Sequence, residues 1–114
     1  FLNNRNSSVL LSIYFKEEYI GNCGFFSIDN DFESAELRIV IGEKKYWGRG
    51  FGNIIIDKMI LIAKEKKFNS IWLSVSQNNE RAIKLYEKCK FFVQNHNYKI
   101  VNNQPQIKMA YTIM

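Results

Sequence analysis

One proline, one histidine and two cysteines stand in a chain of 114 residues. Each scarcity excludes something. Few prolines beside many Ile, Phe and Tyr residues favour regular elements over loops, and no linker, repeat or low-complexity segment interrupts the chain. Ser-His-Asp or Cys-His catalysis would have to run through His96, and nothing near it in sequence supports that. Cys23 and Cys89 form no CxxC, and no histidine pattern joins them, so no metal site is expected. Both read as reduced structural thiols, which points to a cytoplasmic protein. No run approaches the ~20 apolar residues of a membrane span. No basic start leads into an apolar stretch, so no signal peptide and no membrane partner are expected.

What is present describes an ordinary globular domain. Hydrophobic residues make up 46% and charged residues 24%. The length suffices for one core, with no room for two, so residues 1–114 read as a single domain. The net charge of +5 favours anionic partners: nucleic acid, an anionic membrane or a phosphate-bearing cofactor. The basic residues are scattered, with Lys44, Lys45 and Arg49 in one place and Lys64, Lys66 and Lys67 in another. Either cluster also reads as solvated surface.

Periodicity divides the chain into strands and helices. Val9–Lys16 and Tyr19–Ile28 read as a hairpin, with Gly21 and Gly24 as candidate bulge positions. Ala35–Ile41 is a third strand, with Leu37, Ile39 and Ile41 facing one way and Glu36, Arg38 and Val40 the other. Asn53 to about Lys67 has helical spacing, with Ile55, Met59 and Ile62 beside Ile56, Ile60 and Ala63. Ser70–Ser76 is a fourth strand. Asn78 or Asn79 caps a second helix, on which Ala82, Tyr86 and Cys89 share a face. Phe91–Val93 starts a fifth strand, and Ile107–Ile113 makes a sixth after a loop holding Pro105. The expected fold class is α+β, a mixed sheet with helices packed on it in three layers.

The informative stretch is Tyr46-Trp47-Gly48-Arg49-Gly50-Phe51-Gly52. Three glycines alternate between a strand and a helix. Glycine permits positive φ and close approach of a ligand to the main chain. A helix start offers N–H groups and a partial positive charge. Together these suit a pyrophosphate, with Lys45 and Arg49 at the rim. The GxGxxG fingerprint fails at Asn53, and no Gly-Lys-Ser/Thr follows, so neither a Rossmann nor a Walker A site is present. A glycine-rich turn without a ligand is the alternative.

The run Ala35–Gly52 (AELRIVIGEKKYWGRGFG) resembles the acetyl-CoA-binding segment of GNAT N-acetyltransferases, which carries Gln/Arg-x-x-Gly-x-Gly/Ala. Gly50 and Gly52 match the small positions, while Trp47 stands at the Gln/Arg position. Asn79–Phe91 (NERAIKLYEKCKF) resembles the family's Asn-x-x-Ala-x-x-x-Tyr-x-x-x-Gly-Phe segment. Asn79, Ala82, Tyr86 and Phe91 match, and Lys90 replaces the usual glycine. The resemblance runs from about Val9 to the C-terminus. The family's N-terminal strand and helices have no counterpart, and residues 1–8 read as a remnant or tail of them.

That resemblance implies an acyltransferase moving an acetyl group from acetyl-CoA to a primary amine by direct attack. The pantetheine arm would lie between Leu37–Ile41 and Ile71–Val75, bonding main-chain groups near Ile39, Val40 and Ile41. The pyrophosphate would sit over Trp47, Gly48, Arg49, Gly50, Phe51 and Gly52. Glu36 is the candidate base, or else a strand carboxylate facing solvent. A backbone N–H near Val40 would serve the oxyanion. Tyr86 is the candidate acid for the leaving thiolate, its phenol near ~10 matching a thiol near ~8.5, or else a core tyrosine. Asn79 would place the cofactor arm, cap its helix, or both. The partners implied are acetyl-CoA and an unidentified amine. A homodimer through the late strands would protect the sheet's edges. Two alternatives stay open: a degenerate domain that binds CoA or a partner without turnover, and a basic nucleic-acid-binding module. The second is disfavoured because no RNP1 pattern is present.

Overall fold

The computed structural model describes residues 8–31, 33–42, 46 and 50–113. The described chain runs β1 (Val9–Phe15), β2 (Glu18–Asp29), β3 (Ser34–Ile41), α1 (Phe51–Glu65), β4 (Ser70–Ser76), α2 (Glu80–Lys88), β5 (Phe92–Val101) and β6 (Gln104–Thr112). One six-stranded sheet has the order β1-β2-β3-β4-β6-β5. Only the β3–β4 pair is parallel. The strand expected to begin at Phe91–Val93 is ten residues long, and it forms the late edge of the sheet.

β4 shows why these residues make a strand. Its apolar residues alternate, so Ile71, Leu73 and Val75 are buried while Trp72 and Ser74 are only half-buried on the other face. They meet Ile55, Ile56, Met59, Ile60 and Ala63 of α1, which fall at helical spacing on one stripe. Phe25, Leu37, Ile107 and Met109 complete the core. Each such side chain contributes about 1.5–3 kcal/mol by leaving water. Ala82, Leu85 and Tyr86 of α2 pack against the same cluster. Both helices therefore lie on one face, and the described residues supply two of the three layers that the sequence suggests.

Both helices end the same way. The chain turns left-handed at Lys67 (φ 65°) and at Lys90 (φ 77°). In each case the next residue is a buried phenylalanine, Phe68 or Phe91. Phe68 N–H bonds Ala63 O at 3.0 Å and Phe91 N–H bonds Tyr86 O at 2.9 Å. This is the Schellman termination, closed by an apolar contact back onto the last turn. It ends α1 two residues before the expected Lys67. It also explains the glycine usual at position 90: the site needs positive φ, and lysine adopts it under strain.

Two further expectations change. Asn102 (φ 50°) and Asn103 (φ 64°) form a two-residue left-handed turn that joins β5 directly to β6. Pro105 therefore lies inside β6, not in a loop, and it sits beyond the Ser76–Gln106 pair that ends the β4 ladder. Asn-Asn between apolar runs was the available turn signal. In the first hairpin the register slips between Ile13 and Tyr14, leaving Ile20 as the extra residue. That bulge adjoins Gly21, whereas Gly24 sits in regular ladder.

Replacing Lys90 by glycine removes the left-handed strain and should stabilise the chain by about 1 kcal/mol, after the entropic cost of glycine. Urea unfolding of Lys90→Gly checks this; an unchanged or lower midpoint contradicts it.

Candidate active site

β3 and β4 pair at only three positions, Ser34–Ser70, Ala35–Ile71 and Glu36–Trp72. Beyond these they diverge, because each is committed to its other neighbour. β4 pairs with β6 along its whole length, Ser70 to Ser76. β3 is drawn onto β2, where a Cβ added at Gly21 would lie 2.0 Å from the Val40 carbonyl oxygen. Only glycine allows that approach.

The divergence opens a cleft of about 350 Å³. Ile39, Val40 and Ile41 form its β3 wall. Asn79, Arg81, Ala82, Leu85 and Tyr86 form the α2 wall, and Tyr46 and Gly52 lie at the α1 end. Of the residues expected at the site, six therefore meet in one place: Ile39, Val40, Ile41, Gly52, Asn79 and Tyr86. Tyr46, which heads the glycine-rich stretch, also lines it, as do Arg81 and Leu85, which were not singled out. The spacing Ala82, Leu85, Tyr86, Cys89 was the signal for Leu85, being one helical stripe.

Gly50 sits directly before α1 in the left-handed region (φ 85°), which explains a glycine there. Among the described residues no side chain caps α1, and its first turn carries no acidic residue. Such a helix start is electrostatically open to an anion. Phe51 directs its ring elsewhere, edge-on to Phe15 at 4.8 Å and Tyr46 at 5.5 Å between centroids. Tyr46 is buried and its hydroxyl donates to Glu18, which ties the loop before α1 to the β1–β2 hairpin. Trp47, Gly48 and Arg49 lie outside the described residues.

Asn79 caps α2, its Oδ1 accepting from Ala82 N–H at 3.2 Å. Tyr86 stands one turn further along the helix stripe. Its hydroxyl has no hydrogen-bond partner among the described residues. Burial, aided by nearby Cys89, pushes the phenol above its ordinary pKa, so at neutral pH it is a proton donor. Burial likewise raises the Cys89 thiol, with Asp57 adding to it. Cys89 Sγ donates to Asn53 Oδ1 at 3.2 Å, linking the end of α2 to the start of α1.

Glu36 is not part of this cleft. It is 6% exposed and its Oε1 accepts from Arg38 at 2.9 Å. The alternation of β3 turns both side chains away from the helices. Buried and paired, Glu36 is not the carboxylate facing solvent that was its alternative reading. Among the described residues no group of His, Cys, Asp and Glu could hold a metal ion, and no helix is long and apolar enough to cross a membrane.

The model of the Acetyltransferase (GNAT) family matches residues 1–91. The chain belongs to the GNAT family. It is 35% identical over 83 residues to the uncharacterized N-acetyltransferase p20 of Bacillus licheniformis, an alignment that covers 70% of the chain and 46% of that relative. It is 34% identical over 68 residues to the [Ribosomal protein bS18]-alanine N-acetyltransferase of Haemophilus influenzae, covering 60% of the chain and 46% of that protein. The matches thus span about half the length of these relatives. The spermidine N-acetyltransferase of Vibrio cholerae, solved with CoA and spermine, superposes with a TM-score of 0.83 at 24% identity over 94% of the chain and 66% of its own. A dodecameric structure of that enzyme gives a TM-score of 0.86 at 23% identity, over 96% and 67%. These likenesses show that the six-stranded sheet and its two helices have the GNAT fold.

Because Val40 O lies against Gly21, Gly21→Ala must push β3 away from β2 and into the cleft. A loss of about 3 kcal/mol is expected, the upper range for overpacking. Denaturant unfolding measures it; a loss below ~1 kcal/mol would show that β3 can retreat without cost.

Proposed function

We propose that the chain transfers an acetyl group from acetyl-CoA to a primary amine by direct attack on the thioester. The observation that carries this reading is the divergence of β3 from β4, with Tyr86 on one wall of the opening and the uncapped start of α1 at its end. The residues present suit the co-substrate. Ile39, Ile41, Ala82 and Leu85 offer apolar walls to a pantetheine arm, and the main chain of β3 offers hydrogen bonds to its amides. Gly50, Phe51 and Gly52 lead into a helix start that favours a pyrophosphate. Asn79 serves as helix cap and rim of the arm's channel at once.

In this mechanism a neutral amine attacks the acetyl carbon, a β3 N–H near Val40 stabilises the oxyanion, and the C–S bond breaks. Tyr86 gives its proton to the departing thiolate, and the proton shed by the new amide nitrogen restores the phenol through solvent. Burial suits it to this, since a phenol kept protonated is a donor throughout the neutral range. Glu36, acting from the opposite face, would take the proton of the incoming ammonium through water. Its engagement with Arg38 favours a second reading, cofactor binding without turnover.

Tyr86→Phe separates the two readings. Turnover should fall by about tenfold to a hundredfold, while acetyl-CoA affinity measured by calorimetry stays within a factor of about two. Equal turnover would remove Tyr86 from the chemistry. The sign of its shift also sets the pH profile. The phenol acts as an acid below its folded pKa, and that pKa is raised, so activity should decline only above the ordinary tyrosine value of ~10. A Tyr86-dependent decline below pH ~9 contradicts the assignment.

Gly50→Glu places a carboxylate at the start of α1. It should weaken acetyl-CoA about tenfold or more by repelling the pyrophosphate. Unchanged affinity in a titration would sink the assignment of this loop.

A further inference from the structure

The gap between β3 and β4 has two sides, and the cleft with Tyr86 occupies the side of the helices. On the other side, the first residues past the last pair, Glu36–Trp72, are Arg38 on β3 and Ser74 on β4. Lys108 of β6 stands directly opposite Ser74. The Arg38 guanidinium lies 4.5 Å from the centre of the Phe26 ring and donates to Glu36 at 2.9 Å, with 55% of the side chain still exposed. The Lys108 ammonium lies 4.6 Å from the Trp72 ring and 5.4 Å from that of Tyr98. Trp72 and Tyr98 are themselves edge-to-face at 5.8 Å. Among the described residues no carboxylate pairs with Lys108. Glu36 has its partner in Arg38, and Asp29, which lines a pocket at the closed end of this face together with Lys108, makes no ion pair with it.

Arg38 thus borders the start of the gap on β3, and Lys108 stands one strand behind its β4 border, each steadied by aromatic rings, with the Ser74 position between them by strand order. Ring contacts hold a cation in place without consuming its N–H donors. A guanidinium, an ammonium and a hydroxyl make the donor set of a carboxylate or phosphate site. A second ammonium would be repelled there. With the co-substrate in the helix-side cleft, this side of the gap would be left to the amine.

We propose that Arg38, Ser74 and Lys108 hold the acceptor by an anionic group that it carries, so that the acceptor is an amine bearing a carboxylate or a phosphate and not a polyamine. The proposal rests on the acetyl-transfer reading and adds the substrate class.

The test begins with calorimetric binding of acetyl-CoA and continues with CoA release on γ-aminobutyrate, phosphoethanolamine and putrescine. γ-Aminobutyrate and putrescine match in length and differ in the charge at the far end, while phosphoethanolamine tells phosphate from carboxylate. The better anionic amine should exceed putrescine in kcat/KM by about tenfold or more. Lys108→Met keeps the stem packed on Trp72 and removes the charge. It should raise KM for that amine about tenfold, the loss of one charge-assisted bond, with kcat moved less and acetyl-CoA affinity retained. Arg38→Lys, which leaves Glu36 a cation, should keep most of the preference. Three outcomes overturn the acceptor assignment and leave the cofactor reading in place, provided acetyl-CoA binds: putrescine equal or better, neither anionic amine accepted, or a preference untouched by Lys108→Met. Absence of acetyl-CoA binding overturns both.

Discussion

The separation of β3 from β4 after three paired residues is the constraint on which the rest of the molecule depends. Parallel neighbours in a sheet would ordinarily ladder along their whole length. Here each strand is held more strongly from behind. β2 grips β3 through the close approach at Gly21, and β6 grips β4 at every residue. The sheet is thus two twisted halves joined at one end. The opening between them gives a chain this small a cleft without a hole in its core, because the buried side chains of Leu37 and Leu73 still meet α1 beneath it.

The helices convert that opening into a site. The uncapped start of α1 and the stripe of α2 bearing Ala82, Leu85 and Tyr86 face the same space. They are held at a set distance by two contacts. A Cβ on Gly52 would come within 2.7 Å of Leu85 Cδ2, so the helices touch there. Cys89 bonds Asn53, and Asn53 Nδ2 in turn donates to Asp57 at 3.3 Å. The Schellman endings fix the far ends by burying Phe68 and Phe91.

The two faces of the sheet differ in kind. The helix face is mainly apolar, whereas the opposite face carries the Arg38–Glu36 ion pair and a cluster of Trp72, Tyr98 and Lys108. Strand alternation accounts for the contrast, since successive residues of β3 and β4 must point to opposite sides. One strand therefore lines the cleft on the helix side and presents Glu36 and Arg38 on the other face.

Much of this was legible in the amino-acid order. The strand and helix spans follow from apolar periods of two and 3.6, and the ends of β4 agree to the residue because Ser70 and Ser76 bound an uninterrupted alternation. The Gly50 position was readable because left-handed backbone so strongly favours glycine, and Asn79 because caps are chemically specific. What eluded local reading was set by tertiary contact. Lys67 and Lys90 take left-handed turns that their side chains disfavour, since burying the following phenylalanine outweighs the strain. Glu36 has the look of a surface carboxylate, yet Arg38 and the neighbouring strands enclose it. Arg81, Leu85 and Tyr46 line the cleft only because α2 and the loop before α1 converge on diverging strands. The sequence by itself determined the elements, their caps and the glycines, which depend on neighbours a few residues away. The tertiary structure alone decided where the sheet parts and which side chains meet across it, because that depends on the competition between ladders formed by residues far apart in the chain.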